Sequence, residues 1–148
     1  MRVLMVCLGN ICRSPMAAAI LRRHAPATWR IGSAGTGPWH VGRPADPRTL
    51  SECRRRGTAI DHVARQVHAG DFAAHDLILA MDRANLADLR ALRRDGCVPR
   101  LIGDDDPLDP GGEVPDPYHD GPDAFAAIYD QLDRCCRALV ARPGGGRA

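Results

Sequence analysis

The sequence contains no lysine: all 20 of its basic residues are arginine. Glutamate is scarce as well, since 16 of the 18 acidic residues are aspartate. This bias reflects genome composition and carries no functional signal. The two signs nearly cancel, at +2 overall, so no strong field for nucleic acid is expected. Arginine runs such as Arg54–Arg56 and Arg93–Arg94 read as solvated helix faces. No stretch approaches the roughly 20 apolar residues of a membrane span. The chain opens directly on a strand-like run, so no signal peptide is expected. Cys7, Cys12, Cys53, Cys97, Cys135 and Cys136 form no Cys-x-x-Cys pair and no zinc-ligand spacing. Free thiols in a reducing, cytoplasmic compartment are the expectation, with export by a route that needs no signal peptide left open.

The 148 residues are 45% hydrophobic. That suits one domain with a proper core, which at this size buries roughly 68–70% of the unfolded surface. Residues 1–142 are read as that domain and 143–148 as a flexible tail. Met1–Cys7 is a nearly continuous apolar run, as in a strand covered on both faces. After a turn, Ser14-Pro15 opens a helix with Met16, Ile20 and Leu21 on its apolar side. Trp29–Ala34 is a second strand, followed by the glycine-rich Gly35-Thr36-Gly37-Pro38. Asp46-Pro47 caps and starts a helix over 47–56, with Gly57 as its stop. His75–Met81 is a third strand. Asp82 caps the next helix, which carries Leu86, Leu89 and Leu92 and stops at Gly96. Val98–Ile102 is a fourth strand, Asp104–Pro117 a loop, and Pro122 opens a last long helix with Phe125, Ile128, Tyr129, Leu132, Cys136, Leu139 and Val140 at helical spacing. This alternation predicts an α/β fold with a parallel sheet. Ligands then bind beyond the carboxyl ends of the strands, here at residues 7–14.

Cys7 and Arg13 stand in Cys-x5-Arg spacing. Arginine is so abundant that the spacing recurs at Cys136 and Arg142, and context must separate the two. Cys136 lies within an amphipathic helix, where a cysteine is a small core residue. Cys7 ends a strand, precedes Gly9 and Asn10, and sits on a loop that runs into a helix N-terminus. Such a loop turns backbone N–H groups inward, and the helix dipole adds to them, forming a nest for an anion. A thiol at its centre is expected to ionise, with a pKa lowered to about 3.5–7.5. Arg13 offers a fork that matches two phosphate oxygens, and Ser14 a hydroxyl donor to the thiolate. The plain alternative is a buried cysteine in an ordinary strand–helix turn.

The run Cys7-Leu8-Gly9-Asn10-Ile11-Cys12-Arg13-Ser14-Pro15 resembles the signature loop of the low-molecular-weight protein tyrosine phosphatases. The likeness continues, in order, through Ser33-Ala34-Gly35-Thr36, Trp39-His40-Val41-Gly42, His62-Val63-Ala64-Arg65-Gln66, Met81-Asp82 and Asp116-Pro117-Tyr118. It implies a twisted four-stranded parallel sheet in the order 2-1-3-4 with helices on both faces. It also implies a hydrolase of phosphotyrosine monoesters with Cys7 as nucleophile, Leu8–Ser14 as phosphate-binding loop and Arg13 as clamp. Such an enzyme needs neither metal nor cofactor. Its partners would be phosphotyrosine proteins and a cognate tyrosine kinase, with no nucleic acid and no membrane.

Composition cannot choose a proton donor among so many aspartates. Pro115 and Pro117 stiffen the loop around Asp116, and the resemblance assigns the general acid to it. Trp39, in a loop of Gly and Pro, is expected to be exposed and to form a wall for a phenyl ring. The resemblance makes Tyr118 the second wall and puts Leu8 and Ile11 on the floor. Asn10, in a tight loop, is expected to be left-handed, and the resemblance has Ser14, Ser33 and His62 supporting it. It further implies an Arg65–Asp82 ion pair and a reversible Cys7–Cys12 disulfide that shields the nucleophile from over-oxidation. His119 departs from the consecutive tyrosines of many relatives, which removes one of two phosphorylation sites there while Tyr118 remains.

Four other functions compete. A thioredoxin-coupled arsenate reductase on the same fold needs a relay pair of cysteines, and Met81–Leu92 has none. A protein arginine phosphatase of this fold carries Thr where this chain has Ile11. A phosphate-binding module without catalysis would be expected to have lost Cys7, Arg13 or Asp116. A dinucleotide-binding protein would need G-x-G-x-x-G, whereas Gly32, Gly35 and Gly37 give the order G-x-x-G-x-G.

Overall fold

Strand β1 (Arg2–Cys7) lies at the centre of the sheet in the computed structural model, which describes residues 1–143. On one side it pairs in parallel with β2 (Arg30–Gly35), Cys7 facing Gly35. On the other it pairs in parallel with β3 (Leu77–Ala80), which in turn pairs with β4 (Arg100–Leu101). The order is β2-β1-β3-β4, all parallel, as expected. Alternation along β1 divides the core in two. Val3, Met5 and Cys7 pack with Met16, Ile20 and Leu21 of α1 (Arg13–His24) and with Phe125, Ile128 and Leu132 of α5 (Pro122–Ala141). Leu4 and Val6 pack on the opposite face with Phe72 of α3 (Asp71–Ala74) and with Leu86 and Leu89 of α4 (Arg83–Leu92).

The helices start where cap chemistry allows. Asp46 caps α2 (Pro47–Arg55) by accepting from the Arg48 amide at 2.8 Å, and Pro47 fills the first turn. Asp82 caps α4 by accepting from the Asn85 amide at 2.8 Å. Three elements differ from expectation. The fourth strand is two residues long because the chain tightens into a 3-10 turn at Ile102–Asp105. Helix α3 adds one turn before β3. Helix α4 ends at Leu92, and Gly96 serves instead where the chain crosses the Phe72 backbone: at φ +85 its missing Cβ would collide with the Phe72 carbonyl. The expected tail lies outside the described residues apart from Pro143. Among the described residues no helix is long and apolar enough to cross a membrane.

Candidate active site

β1 delivers Cys7 to the carboxyl edge of the sheet, and the chain turns through residues 8–12 into α1. Strand β2 supports that turn from below. The Thr36 amide donates to Cys7 O and the Gly37 amide to Leu8 O, both at 2.9 Å. Gly35 permits the approach, since a Cβ there would lie 2.7 Å from Leu8 O. No side chain caps α1, whose first turn faces the loop. The result is a nest around a cysteine that is 2% exposed.

Two donors face the sulfur. The Asn10 amide donates to Cys7 Sγ at 3.3 Å, and Ser14 Oγ lies 2.9 Å from it. Asn10 has φ 57, left-handed as expected, and it is the one non-glycine residue with positive φ among those described. A network holds it there. Its Nδ2 donates to Ser14 Oγ at 2.8 Å and to Ser33 Oγ at 3.0 Å, while its Oδ1 accepts from the Arg65 amide at 2.9 Å. His62 Nε2 donates to Asn10 O at 2.6 Å, leaving Nδ1 to accept from Ser33 Oγ at 3.5 Å. Ser14 thus accepts from Asn10, and its own proton is shared between the sulfur at 2.9 Å and Ala34 O at 3.5 Å.

Burial lowers the His62 imidazole below its ordinary value of 6.5, against the pull of the Asn10 carbonyl. The folded protein therefore binds fewer protons here than the unfolded chain, and stability rises with pH across that window. Loss of stability is expected as pH falls from about 6.5 toward the lower folded value. Urea midpoints at pH 7.5 and pH 5.5 for the wild type and His62→Gln check this: the acid loss is smaller in the variant. An identical loss in both would assign the slope to other groups.

Arg13 is 2% exposed and engaged from behind. Its Nη1 donates to Asp82 Oδ2 at 2.6 Å and to Val114 O at 3.0 Å. Its Nη2 lies 3.8 Å from Asp116 Oδ2. The expected Arg65–Asp82 pair does not form. Arg65 pairs with Asp71 at 2.9 Å, because α3 brings Asp71 under the 62–66 segment, whereas Asp82 at the end of β3 faces Arg13. Asp82 and Val114 were not expected to touch the site. The Met81-Asp82 block carried that signal, but its spacing did not name the partner.

The loop of Asp116 closes the other side. Asp116 Oδ1 accepts from the Tyr118 amide at 3.1 Å, and Oδ2 is the oxygen nearer Arg13. A cavity of about 210 Å³ lies between, with Cys7, Ile11 and Arg13 inside and Trp39, Asp116 and Tyr118 around it. Trp39 is 66% exposed, as expected, and Tyr118 41%. The Trp39 indole lies against Gly37, where any Cβ would overlap it. His40, whose ring centroid is 6.2 Å from that of Tyr118, and His119 also line this cavity. Burial pushes the Cys12 thiol up to about 12, with Asp46 and Cys7 adding to the rise. Cys12 is thus a neutral thiol at the flank of the loop.

The family model for low molecular weight phosphotyrosine protein phosphatase matches residues 2–143. This chain belongs to that family. A human member of the family is 41% identical over 147 residues, covering 93% of this chain and 92% of its own. Among solved structures, a protein tyrosine phosphatase from Entamoeba histolytica superposes with a TM-score of 0.89 at 35% identity, over 95% of this chain and 94% of its own. A Drosophila arginine phosphatase superposes with a TM-score of 0.86 at 33% identity, over 95% and 96%. Members of the low-molecular-weight phosphatase family are hydrolases, and in this chain a thiol, a buried guanidinium and a carboxyl group surround one cavity.

Proposed function

We propose that the protein hydrolyses phosphotyrosine in proteins through a cysteinyl-phosphate intermediate. The observation that carries this reading is the Cys7 sulfur at the floor of the cavity, with the Asn10 amide and Ser14 hydroxyl aimed at it and Arg13 beside it. The Cys7 thiolate attacks phosphorus in line. Arg13 and the amides of Leu8–Ser14 hold the three equatorial oxygens. As the bond from phosphorus to the tyrosine oxygen breaks, Asp116 gives its proton to that oxygen. Water then attacks the S-phosphoryl group, Asp116 takes a proton from it, and inorganic phosphate leaves with the thiolate restored. Arg13 and the loop amides supply the positive charge this requires, so the reading needs neither metal nor cofactor.

Trp39 and Tyr118 serve as walls and Ile11 lies toward the floor, whereas Leu8, expected on the floor, is 39% exposed and stands at the rim with Tyr118. Ile11 is apolar and suits a phenyl ring, where a guanidinium would call for a hydroxyl. Asn10, Ser14, Ser33 and His62 hold the loop in shape. Cys12, five residues on in the same loop, is the partner we assign to an oxidised Cys7 in a reversible disulfide. The six free cysteines suit a reducing cytoplasm in which a cognate tyrosine kinase supplies the substrates.

Peptides carrying phosphotyrosine, phosphoserine or phosphoarginine, assayed with a metal chelator present, test the reading. Phosphotyrosine is expected to be strongly preferred, because the shorter serine ester leaves its phosphate above the sulfur. In the same assay Trp39→Ala is expected to lose about tenfold in kcat/KM for phosphotyrosine, in line with the 0.5–1.5 kcal/mol of an aromatic contact. Inhibition by inorganic phosphate, which touches the loop alone, should barely change. Preference for phosphoarginine, or loss of activity with the chelator, refutes the reading.

A further inference from the structure

We propose that Arg48 is a positioning residue for the proton donor, fixing the 116–120 loop to the same helix end that holds the phosphate-binding loop. The inference rests on the reading of Asp116 as general acid. Residues 118–121 are exposed, as is Asp116 itself, so beyond the buried Pro117 and the Arg13–Asp116 pair little packing holds this segment down. Among the described residues, the hydrogen bonds that reach residues 116–120 from outside both come from Arg48. Its Nη1 donates to Asp120 O and its Nη2 to Tyr118 O, each at 2.9 Å. The two carbonyls bracket the loop just beyond the donor.

Arg48 is itself fixed. Its Nε donates to Asp46 Oδ1 and its Nη2 to Asp46 Oδ2, each at 3.0 Å, a bidentate pair. That fork holds the Asp46 carboxyl below the usual carboxylate range. The guanidinium also lies 4.6 Å from the Phe125 ring centroid and 5.7 Å from that of Tyr118. Asp46 carries the link onward, since its amide donates to Ile11 O at 2.9 Å. One helical turn away, Thr49 Oγ1 donates to Cys12 O at 3.3 Å. The first turn of α2 is therefore a strut. One end grips the phosphate-binding loop through Ile11 O and Cys12 O, and the other grips the donor loop through Tyr118 O and Asp120 O. A misplacement of about 1 Å between acid and leaving oxygen is enough to lose much of a general acid's worth.

The consequence is specific. Loosening the strut should harm proton donation and spare phosphate capture. The test compares kcat/KM for phenyl phosphate, whose phenolate leaves poorly, with that for dinitrophenyl phosphate, whose phenolate leaves without help. It is run on wild type, Arg48→Met, Arg48→Lys, Asp116→Asn and the double variant Arg48→Met/Asp116→Asn. Arg48→Met is expected to lose roughly 10–100-fold on phenyl phosphate and only a few-fold on the dinitrophenyl ester, a fraction of what a general acid supplies. Inhibition by inorganic phosphate should stay within about twofold, since the cradle is intact. Arg48→Lys should recover part of the loss, because an ammonium reaches one carbonyl but cannot fork. The double variant should be no slower on phenyl phosphate than Asp116→Asn alone, because both changes remove one function. Equal losses on both esters, weakened phosphate inhibition, additivity in the double variant or no loss at all would each overturn the proposal. If Asp116→Asn shows the leaving-group dependence and Arg48→Met does not, this inference falls alone. If Asp116→Asn lacks it too, both readings fall.

Discussion

Cys7→Ser is expected to abolish turnover of phosphotyrosine and of p-nitrophenyl phosphate while leaving the fold and phosphate binding largely intact. A serine hydroxyl occupies nearly the volume of the thiol, and the Asn10 amide and Ser14 hydroxyl still have an acceptor there. Arg13 keeps its bonds to Asp82 and Val114. What disappears is the proposed nucleophile, since a serine in this nest has no general base beside it to remove its proton. The second Cys-x5-Arg match supplies the control. Cys136 is fully buried, with its Sγ 3.7 Å from Ala17 O, and burial pushes its thiol well above the ordinary value. Arg142 ends α5 with its Nε 3.0 Å from Asp105 Oδ1, so it belongs to a different ion pair. Cys136→Ser should cost stability, on the order of 1–3 kcal/mol for a hydroxyl placed in an apolar site, and leave turnover within a few-fold below the melting temperature. A dead Cys136→Ser beside an active Cys7→Ser would reverse the site assignment. Kinetic assay of both proteins after a circular-dichroism check of folding decides it.

What could be read from the sequence follows the physics of each element. β1 is an uninterrupted apolar run because helices cover both faces of the sheet there, and such a run is legible by itself. Helices α2 and α4 announced themselves through Asp46-Pro47 and Asp82, caps that act locally. The turn from β1 through residues 8–12 into α1 was legible because consecutive residues make it. Elements set by tertiary contact were not. The turn of α3 lies below the length at which periodicity carries a signal. β4 contracted to two residues where the 3-10 turn took over. Ion pairs are hardest, since 16 aspartates and 20 arginines allow many pairings and only proximity selects. Asp82 therefore met Arg13 where Arg65 was expected. Asp46 read correctly as a cap, but nothing in the order of residues said that Arg48, two positions on, would reach the carbonyls of Tyr118 and Asp120, some 70 residues away.

Asp116→Asn carries the second large effect. Its carboxyl stands on a proline-stiffened loop at the cavity mouth, with Oδ2 3.8 Å from Arg13 Nη2 and Oδ1 held by the Tyr118 amide. On the proposed reading Oδ2, beside Arg13, is the atom that carries the proton toward the leaving oxygen. Asparagine preserves the size and the contact with the Tyr118 amide through its own Oδ1, but it has no acidic proton. The expected loss in kcat/KM for phosphotyrosine is about 10²–10⁴, the usual worth of a general acid. Tyrosine sets the size of this need: its phenol has a pKa near 10, so departure as an unassisted anion is slow. For esters of more acidic phenols the need falls, and the variant's deficit should shrink with the pKa of the leaving group. The slope of log kcat/KM against that pKa should therefore be shallow in the wild type and steep in Asp116→Asn. Phosphate inhibition gives the second readout. Removing a carboxylate that shares the pocket with the bound anion should leave inhibition unchanged or tighten it, because a like charge has gone. A deficit of equal size across leaving groups, or a weakened phosphate site, would make Asp116 a structural neighbour of Arg13 and leave the proton to another group lining the cavity, where His119 and His40 are the imidazoles.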